Sequence, residues 1–364
     1  MNQPTYLFVV SSSNQMYSGT GVAIFDWIRF AKNNFSFSML MDVENITNFT
    51  IARDFCLEQD LPFYPSPGMA LSGCPDAGVK NVYTHLAHNQ YDFIECVSWA
   101  NAATNLNVIA SKRGNSKLIF TPHSQPLWSL PNHDRYFMTS LGFKRTLNAS
   151  DYIFLDSQSE LNLIKDIDSK KIHCIPLGVD TDKYTVSAQI ISNQIICICD
   201  CQEPRKRIDL LLSVFSNAYS QNNKIKLVLA GKGSDRVVIP DKISKAVKRL
   251  GYINNDTLVR LHKTASLFVL LSDYEAFGLP IAEALCSGCP VLLNRQDVLV
   301  DVFSDLPGVF FTDNLNIQET SHKLLKLVAT SFDRANIAAE AKKKFSFSKT
   351  YGLKKSILLD KNQN

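Results

Sequence analysis

The sequence contains no apolar run approaching the length that a helical membrane span requires. Its first residues, Met1-Asn-Gln-Pro, lack basic charge, so a secretory leader is not expected there. No stretch interleaves aromatic with basic residues as a nucleic-acid surface does, and no short repeat or low-complexity tract suggests a solenoid. No Gly-x-Gly-x-x-Gly follows the first strand-like run, which argues against a dinucleotide-dependent dehydrogenase. The nine cysteines are scattered through apolar contexts, and their spacing is not read as a zinc or redox site. Cys197, Cys199 and Cys201 alternate along one predicted strand and read as reduced core thiols. Reduced thiols suit the cytoplasm, where the chain is expected, and the sequons at Asn45, Asn48 and Asn148 then read as chance matches.

What is present describes two α/β domains. A chain of 364 residues is long for one core and comfortable for two. Its 45% hydrophobic and 20% charged residues are those of a soluble globular protein. Strand-like runs at 6–11, 35–41, 91–97, 117–121 and 151–155 alternate with helical spacing at 22–32, 47–59, 100–112 and 157–167. The second half repeats the pattern, with strands at 195–199, 226–230, 267–271 and 290–293, a sheet end within 303–313, and late helices at 317–330, 335–345 and 348–359. Such alternation predicts parallel sheets whose carboxyl ends hold the ligand. Residues 62–78, rich in proline and glycine, are expected to form a loop. The formal charge is +4, with Lys112, Arg113, Lys117, Lys144 and Arg145 tinting the first half basic. A solvated surface is the simpler account of these cations; attraction to anionic lipid headgroups is the other.

Residues 267–293 carry the densest signal. An apolar strand leads into a polar turn, then Gly278-Leu-Pro280, a helix ending near Ser287-Gly288, and a second buried strand. Proline suits a first helical position, and the free N–H groups around Gly278 and Leu279 favour a phosphate. Glu275 in the turn and Glu283 on the helix set two carboxylates beside that anion site.

This stretch resembles the Glu-x7-Glu motif of the retaining nucleotide-sugar glycosyltransferases of family 4. Ser272, Glu275, Phe277, Gly278, Leu279, Pro280, Glu283, Ala284, Gly288, Pro290 and Val291 all fit its pattern. An ordinary strand–helix connection with two solvated glutamates would not account for eleven fitting positions within twenty residues. The resemblance implies a GT-B fold, two Rossmann-like α/β domains facing each other across a cleft that holds the active site. Residues 1–184 would form the acceptor-side domain, joined by a terminal helix over 346–364, and residues 185–345 would bind the nucleotide sugar.

The same resemblance implies the residue roles. Glu275 would hold the donor sugar's hydroxyls and Glu283 the ribose, with Phe277, Gly278 and Leu279 against the donor. Lys206, with Arg205 beside it, would meet the diphosphate, and His123 would reach the sugar from the other domain. Three cations, Arg205 to Arg207, at the start of one helix oppose its dipole and so call for an anion. Gly19 is what remains of the family's paired-glycine loop. Tyr252 would pack near the base or in the core. Asp180-Thr-Asp182 has a metal-binding form but sits in a linker, so it reads as turn chemistry, and no metal or other cofactor is expected.

Three departures weaken the match. Asp200 stands where most relatives carry an Arg, Leu177 replaces an Asn, and 294–301 lacks the usual Gly-Gly and Glu. Asp200 and Leu177 favour the alternative of a non-catalytic nucleotide-sugar-binding protein; a nucleotide-sugar epimerase of the same fold is the other alternative, and the central motif argues against it. The reading that fits most residues is a hexosyltransferase taking a UDP- or GDP-sugar to a carbohydrate or lipid-linked glycan acceptor. Bacterial surface polysaccharide or lipopolysaccharide assembly is its expected setting, with peripheral association at the inner membrane face and no nucleic-acid partner.

Overall fold

The computed structural model describes residues 3–360 apart from 11–15, 17–18, 44, 67–74, 98–108, 111, 124–144, 165–166 and 314–315. Most of the helix expected over 100–112, part of the expected 62–78 loop, and Lys144 lie outside the described residues. The chain divides into two compact units, Met1–Pro176 with Tyr351–Asn364, and Leu177–Thr350.

In the first unit, seven strands form one sheet. They are β1 (Thr5–Val10), β2 (Ser36–Met41), β3 (Phe63–Pro65), β4 (Phe93–Val97), β5 (Lys117–Thr121), β6 (Tyr152–Leu155) and β7 (Ile172–Cys174). Their order is β3-β2-β1-β4-β5-β6-β7, and every neighbouring pair is parallel. The central strands are continuous apolar runs because both faces are covered, and Tyr6 to Val10 are all buried. Helices α1 (Gly19–Ala31), α2 (Ile46–Glu58) and α3 (Pro75–His88) connect the strands, with Asn45 capping α2 by accepting from the Asn48 N–H.

Two stretches differ from expectation here. The 62–78 region is not all loop. Its proline-rich start forms the edge strand β3, where a missing N–H is tolerated, and Pro75 opens α3, where it is pre-organised. The helix expected over 157–167 is instead a 3₁₀ turn, Gln158–Leu163. There the Glu160 carboxylate accepts from the Asp156 and Ser157 N–H groups (2.8 and 3.1 Å), holding a tight turn.

In the second unit, six parallel strands follow the order β10-β9-β8-β11-β12-β13. These are β8 (Gln194–Ile198), β9 (Lys226–Ala230), β10 (Val247–Arg249), β11 (Leu267–Leu270), β12 (Val291–Asn294) and β13 (Val309–Thr312). Their helices are α4 (Ile208–Gln221), α5 (Asn255–Thr264), α6 (Leu279–Cys286), α7 (Asp297–Phe303), α8 (Ile317–Ala329) and α9 (Arg334–Phe345). In each unit the first strand lies mid-sheet with chain order reversing beside it, at β1/β4 and at β8/β11. Loops leaving the carboxyl ends there part to opposite faces and leave a crevice. Among the described residues, no helix is long and apolar enough to cross a membrane.

The last helix, α10 (Phe347–Leu359), begins in the second unit and ends in the first. Its Lys354 reaches the interior of the first sheet, where the ammonium lies 2.9 and 3.0 Å from the two oxygens of Glu95 on β4. Tyr6 and Thr121 donate hydroxyls to the same carboxylate. Burial alone would raise the Glu95 carboxyl, but the Lys354 charge and these donors hold it below the usual carboxylate range. Its stabilising effect is therefore present above the ordinary carboxylate pKa and is lost as pH falls through its depressed folded value. Lys354→Met should cost about 3–5 kcal/mol in urea denaturation, because a buried charge loses its partner. Glu95→Gln in the same chain should recover part of that loss.

Candidate functional site

Most of the expected residues belong to the second unit, and Lys206 and Glu275 come together at the crevice between β8 and β11. After β11, residues 271–278 turn sharply into α6. Gly278 takes φ +97°, and a Cβ there would lie 2.6 Å from Ile281 Cδ1, so glycine is required. Two side chains at and just after the end of β12 clamp the turn. Gln296 accepts the Glu275 N–H (2.7 Å) and donates to the Ser272 carbonyl (2.9 Å), which Asn294 also meets at 3.0 Å. The Asp273 N–H donates to the Arg205 carbonyl, tying this turn to the one after β8.

These restraints hold the Glu275 carboxylate in the interior, 5% exposed. Lys206 Nζ donates to both its oxygens at 2.5 and 2.8 Å, and Arg205 Nη1 lies 3.5 Å away while bonding the Tyr274 carbonyl at 2.9 Å. Burial by itself would raise the Glu275 carboxyl; the Lys206 and Arg205 charges, with hydrogen bonds from Lys206 and Ser272, bring it below its ordinary value. Glu275 is thus an anion.

The three cations are not on the first turn of α4. Pro204–Lys206 is a separate 3₁₀ turn, and Arg207, at φ +48°, reverses the chain before α4 starts. Arg207 pairs with Asp273 (2.9 and 3.2 Å) and Asp209 (3.3 Å). With each cation opposite a carboxylate, the dipole argument for an external anion falls away.

Other expected contacts also shift. The Phe277 ring packs in the core, its centroid 5.7 Å from that of Phe303 and 5.9 Å from that of Phe345, so it turns away from the crevice. Leu279 is buried at the start of α6. Glu283, 8% exposed, lies 3.4 Å from Nε2 of the fully buried His262 on α5. Tyr252 is 70% exposed, which removes the core alternative. Asp200 pairs with Lys232 at 3.4 Å, and Asp180 with Lys183 at 2.7 Å within a turn. Among the described residues, no group of three or more His, Cys, Asp or Glu side chains could hold a metal ion.

The first unit holds His123 and Gly19. His123 follows β5 at φ +47°, with Nδ1 3.2 Å from both oxygens of Asp156, which follows β6. A carboxylate only accepts, so Nδ1 carries the proton, and Nε2 of a neutral ring is left as an acceptor. Gly19 is the first residue of α1, and a Cβ there would meet nothing within 4 Å. The close approach is at Gly21, where a Cβ would lie 2.3 Å from the Met16 carbonyl oxygen.

Asp156, Gln296 and His262 were not singled out from sequence. Each acts through a neighbour distant along the chain, and no local spacing announces such a partner.

Behind Asp156, burial and the Asp156 charge push the Glu160 carboxyl up to about 8, against the two backbone N–H groups that lower it. Folding therefore favours protonated Glu160. Its stabilisation is whole below about pH 4 and is lost as pH rises through about 8. Glu160→Gln should abolish this dependence. Urea denaturation at about pH 5 and about pH 9 should show the parent losing stability, on the order of a few kcal/mol, that the variant keeps.

Comparison with known proteins follows the same division. Residues 192–344 match the family model of glycosyl transferases group 1, and residues 54–183 match that of Glycosyltransferase Family 4. Among curated proteins, the chain is 26% identical over 159 residues to MMP alpha-(1->4)-mannosyltransferase of Mycolicibacterium hassiacum, covering 42% of this chain and 38% of that protein. It is 33% identical over 110 residues to O-antigen chain mannosyltransferase B of Escherichia coli, covering 28% of this chain and 29% of that protein. Each match thus spans well under half of the relative's length. Among solved structures, Anabaena HepE in complex with UDP and glucose superposes with a TM-score of 0.75 at 16% identity, over 98% of this chain and 99% of that one. That likeness establishes the GT-B fold.

Proposed function

Since the chain belongs to the family 4 glycosyltransferases, both of its units matching their models, we propose that it moves a hexose-type sugar from a UDP- or GDP-sugar to an acceptor hydroxyl. The observation that carries this reading is the Lys206–Glu275 pair, fixed at the carboxyl ends of β8 and β11 beside the N-terminus of α6. A nucleoside diphosphate brings two or more negative charges to that crevice. Lys206 turns to the leaving diphosphate with the backbone N–H groups of Gly278 and Leu279, and offsets charge as the sugar–oxygen bond breaks. Glu275, released from Lys206 but still held by Gln296 through its backbone, accepts the donor sugar's hydroxyls. Until donor arrives, the same pair keeps a buried carboxylate compensated.

His123 offers Nε2 as an acceptor to a sugar hydroxyl, with Asp156 fixing its tautomer. Glu283 is the ribose ligand, held by His262. Retention fits a same-face displacement in which the departing phosphate takes the acceptor's proton, since no side chain stands out as a covalent nucleophile in the first unit's sequence. No metal is required in this reading, Lys206 and α6 supplying the positive charge. The likeness to HepE supports a uridine donor, and that to the O-antigen mannosyltransferase supports surface polysaccharide assembly. The acceptor is then a carbohydrate or lipid-linked glycan, met by a cytoplasmic enzyme at the inner membrane face.

A thermal-shift panel of UDP- and GDP-sugars, with and without chelator, tests the donor assignment. One sugar nucleotide should raise the Tm by mass action, and chelator should leave the rise unchanged. With that donor, Glu275→Gln should lower transfer about 100-fold or more. Unchanged transfer would overturn the assignment, and binding without turnover in the parent would favour a non-catalytic carrier.

A further inference from the structure

Two of the three alternating cysteines are not core thiols. Cys197, inside β8, is 1% exposed, but Cys199 and Cys201 lie just past the strand's carboxyl end and are half-buried. Their sulfurs form a file, with Cys197 Sγ 3.9 Å from Cys199 Sγ and Cys199 Sγ 3.9 Å from Cys201 Sγ. This end of β8 opens into the crevice that Lys206 and Glu275 occupy. Of the other described thiols, Cys174 on β7 is half-buried as well. Cys56, Cys96, Cys286 and Cys289 are buried, and burial pushes Cys56, Cys286 and Cys289 up to about 12.

We propose that Cys199 and Cys201 form an oxidisable thiol site at the mouth of this crevice, taking a hydroperoxide-class oxidant and closing a disulfide across Asp200. Cys199 is the attacking atom because thiols flank it on both sides and Lys206 lies in the same crevice. Hydrogen bonds from those thiols hold it well below its ordinary value, with Lys206 adding to the effect against burial and Glu275. Its thiolate attacks the peroxide, so that an S–O bond forms, the O–O bond breaks, and the departing alkoxide or hydroxide takes a proton. Cys201 Sγ then attacks the sulfenic sulfur, forming the S–S bond and releasing water. Two thiols are oxidised while one hydroperoxide is reduced to an alcohol, or to water, and one further water. Cys201 resolves rather than Cys197, because Cys197 is locked in the ladder opposite Leu229 while Cys201 lies in a turn.

Closing from 3.9 Å to the roughly 2 Å of a disulfide must shift the chain between the sulfurs. Cys199 and Cys201 are pinned through their N–H groups to the Ala230 and Lys232 carbonyls, so Asp200 takes up the movement. The Asp200 carbonyl accepts from Glu203, the residue that opens the turn carrying Lys206. Oxidation thereby displaces Lys206. The thiol chemistry rests on the sulfur geometry; only the effect on donor rests on the function proposed above.

The test is peptide mapping of the full chain by mass spectrometry after hydrogen peroxide. The peptide containing Cys199 and Cys201 should lose two hydrogens and regain them with dithiothreitol. Cys201→Ser should halt at a sulfenic acid on Cys199 that dimedone traps, and Cys199→Ser should form neither product. In the untreated parent, iodoacetamide should label Cys199 about tenfold faster than Cys56 or Cys289. Labelling of Cys199 no faster than those buried thiols, or a disulfide that survives Cys199→Ser, would overturn the site. A UDP thermal shift present in reduced protein and lost in oxidised protein would support the link to Lys206, and an equal shift in both would remove that link. No UDP shift in reduced protein would count against the donor reading alone, since the peptide map needs no nucleotide.

Discussion

A carboxylate taken out of water stays ionised only while cations are held against it, and in the second unit that demand falls on Glu275. Everything around the crevice follows from meeting it. The turn after β8 places Lys206 within bonding distance and Arg205 close by, while Gln296 and Asn294 fix the turn that carries the carboxylate. Removing either member of such a pair leaves a charge that its surroundings cannot solvate. In the reaction proposed above, an incoming diphosphate draws Lys206 away at little cost because it supplies opposite charge at the same place. On that proposal, the charge pairing that Lys206 gives up at Glu275 it regains at the phosphate.

Most of the architecture was legible in the chain. The buried parallel strands read as continuous apolar runs, and β5, β9 and α6 lie within a residue or so of their expected ends. Edge strands were less so. β3, β7 and β10 are three residues each, too short for any periodicity to register, and they exist because a neighbour offers its free ladder. The 3₁₀ turn at 158–163 was read as a helix because its apolar spacing suits either form, and Glu160's bonds to two backbone N–H groups decide between them.

Within the site, motif residues were easier to find than to orient. Lys206 and Glu275, sixty-nine positions apart, come together because strand order sets β8 beside β11. Phe277 shares the motif but packs into the core, a distinction that spacing cannot carry. The Arg205–Arg207 run looked like one cationic helix turn; the left-handed backbone at Arg207 splits it, with Arg205 and Lys206 facing Glu275 and Arg207 facing Asp273 and Asp209. His123 depends on Asp156, thirty-three positions on, and only the adjacency of β5 and β6 brings them together.

The buried pair in the first unit has a consequence for biosynthesis. Glu95 enters the sheet on its fourth strand, yet its cation is residue 354, which is made only after the whole second unit. Every residue of the second unit, Leu177–Thr350, has been polymerised by then. The unit that starts first is thus finished last, its central carboxylate waiting through some 260 residues of synthesis (a sequence separation of 259) for the charge that completes it. Throughout that interval the nascent first unit holds an anion without its cation, and its folding is coupled to the synthesis of the second unit.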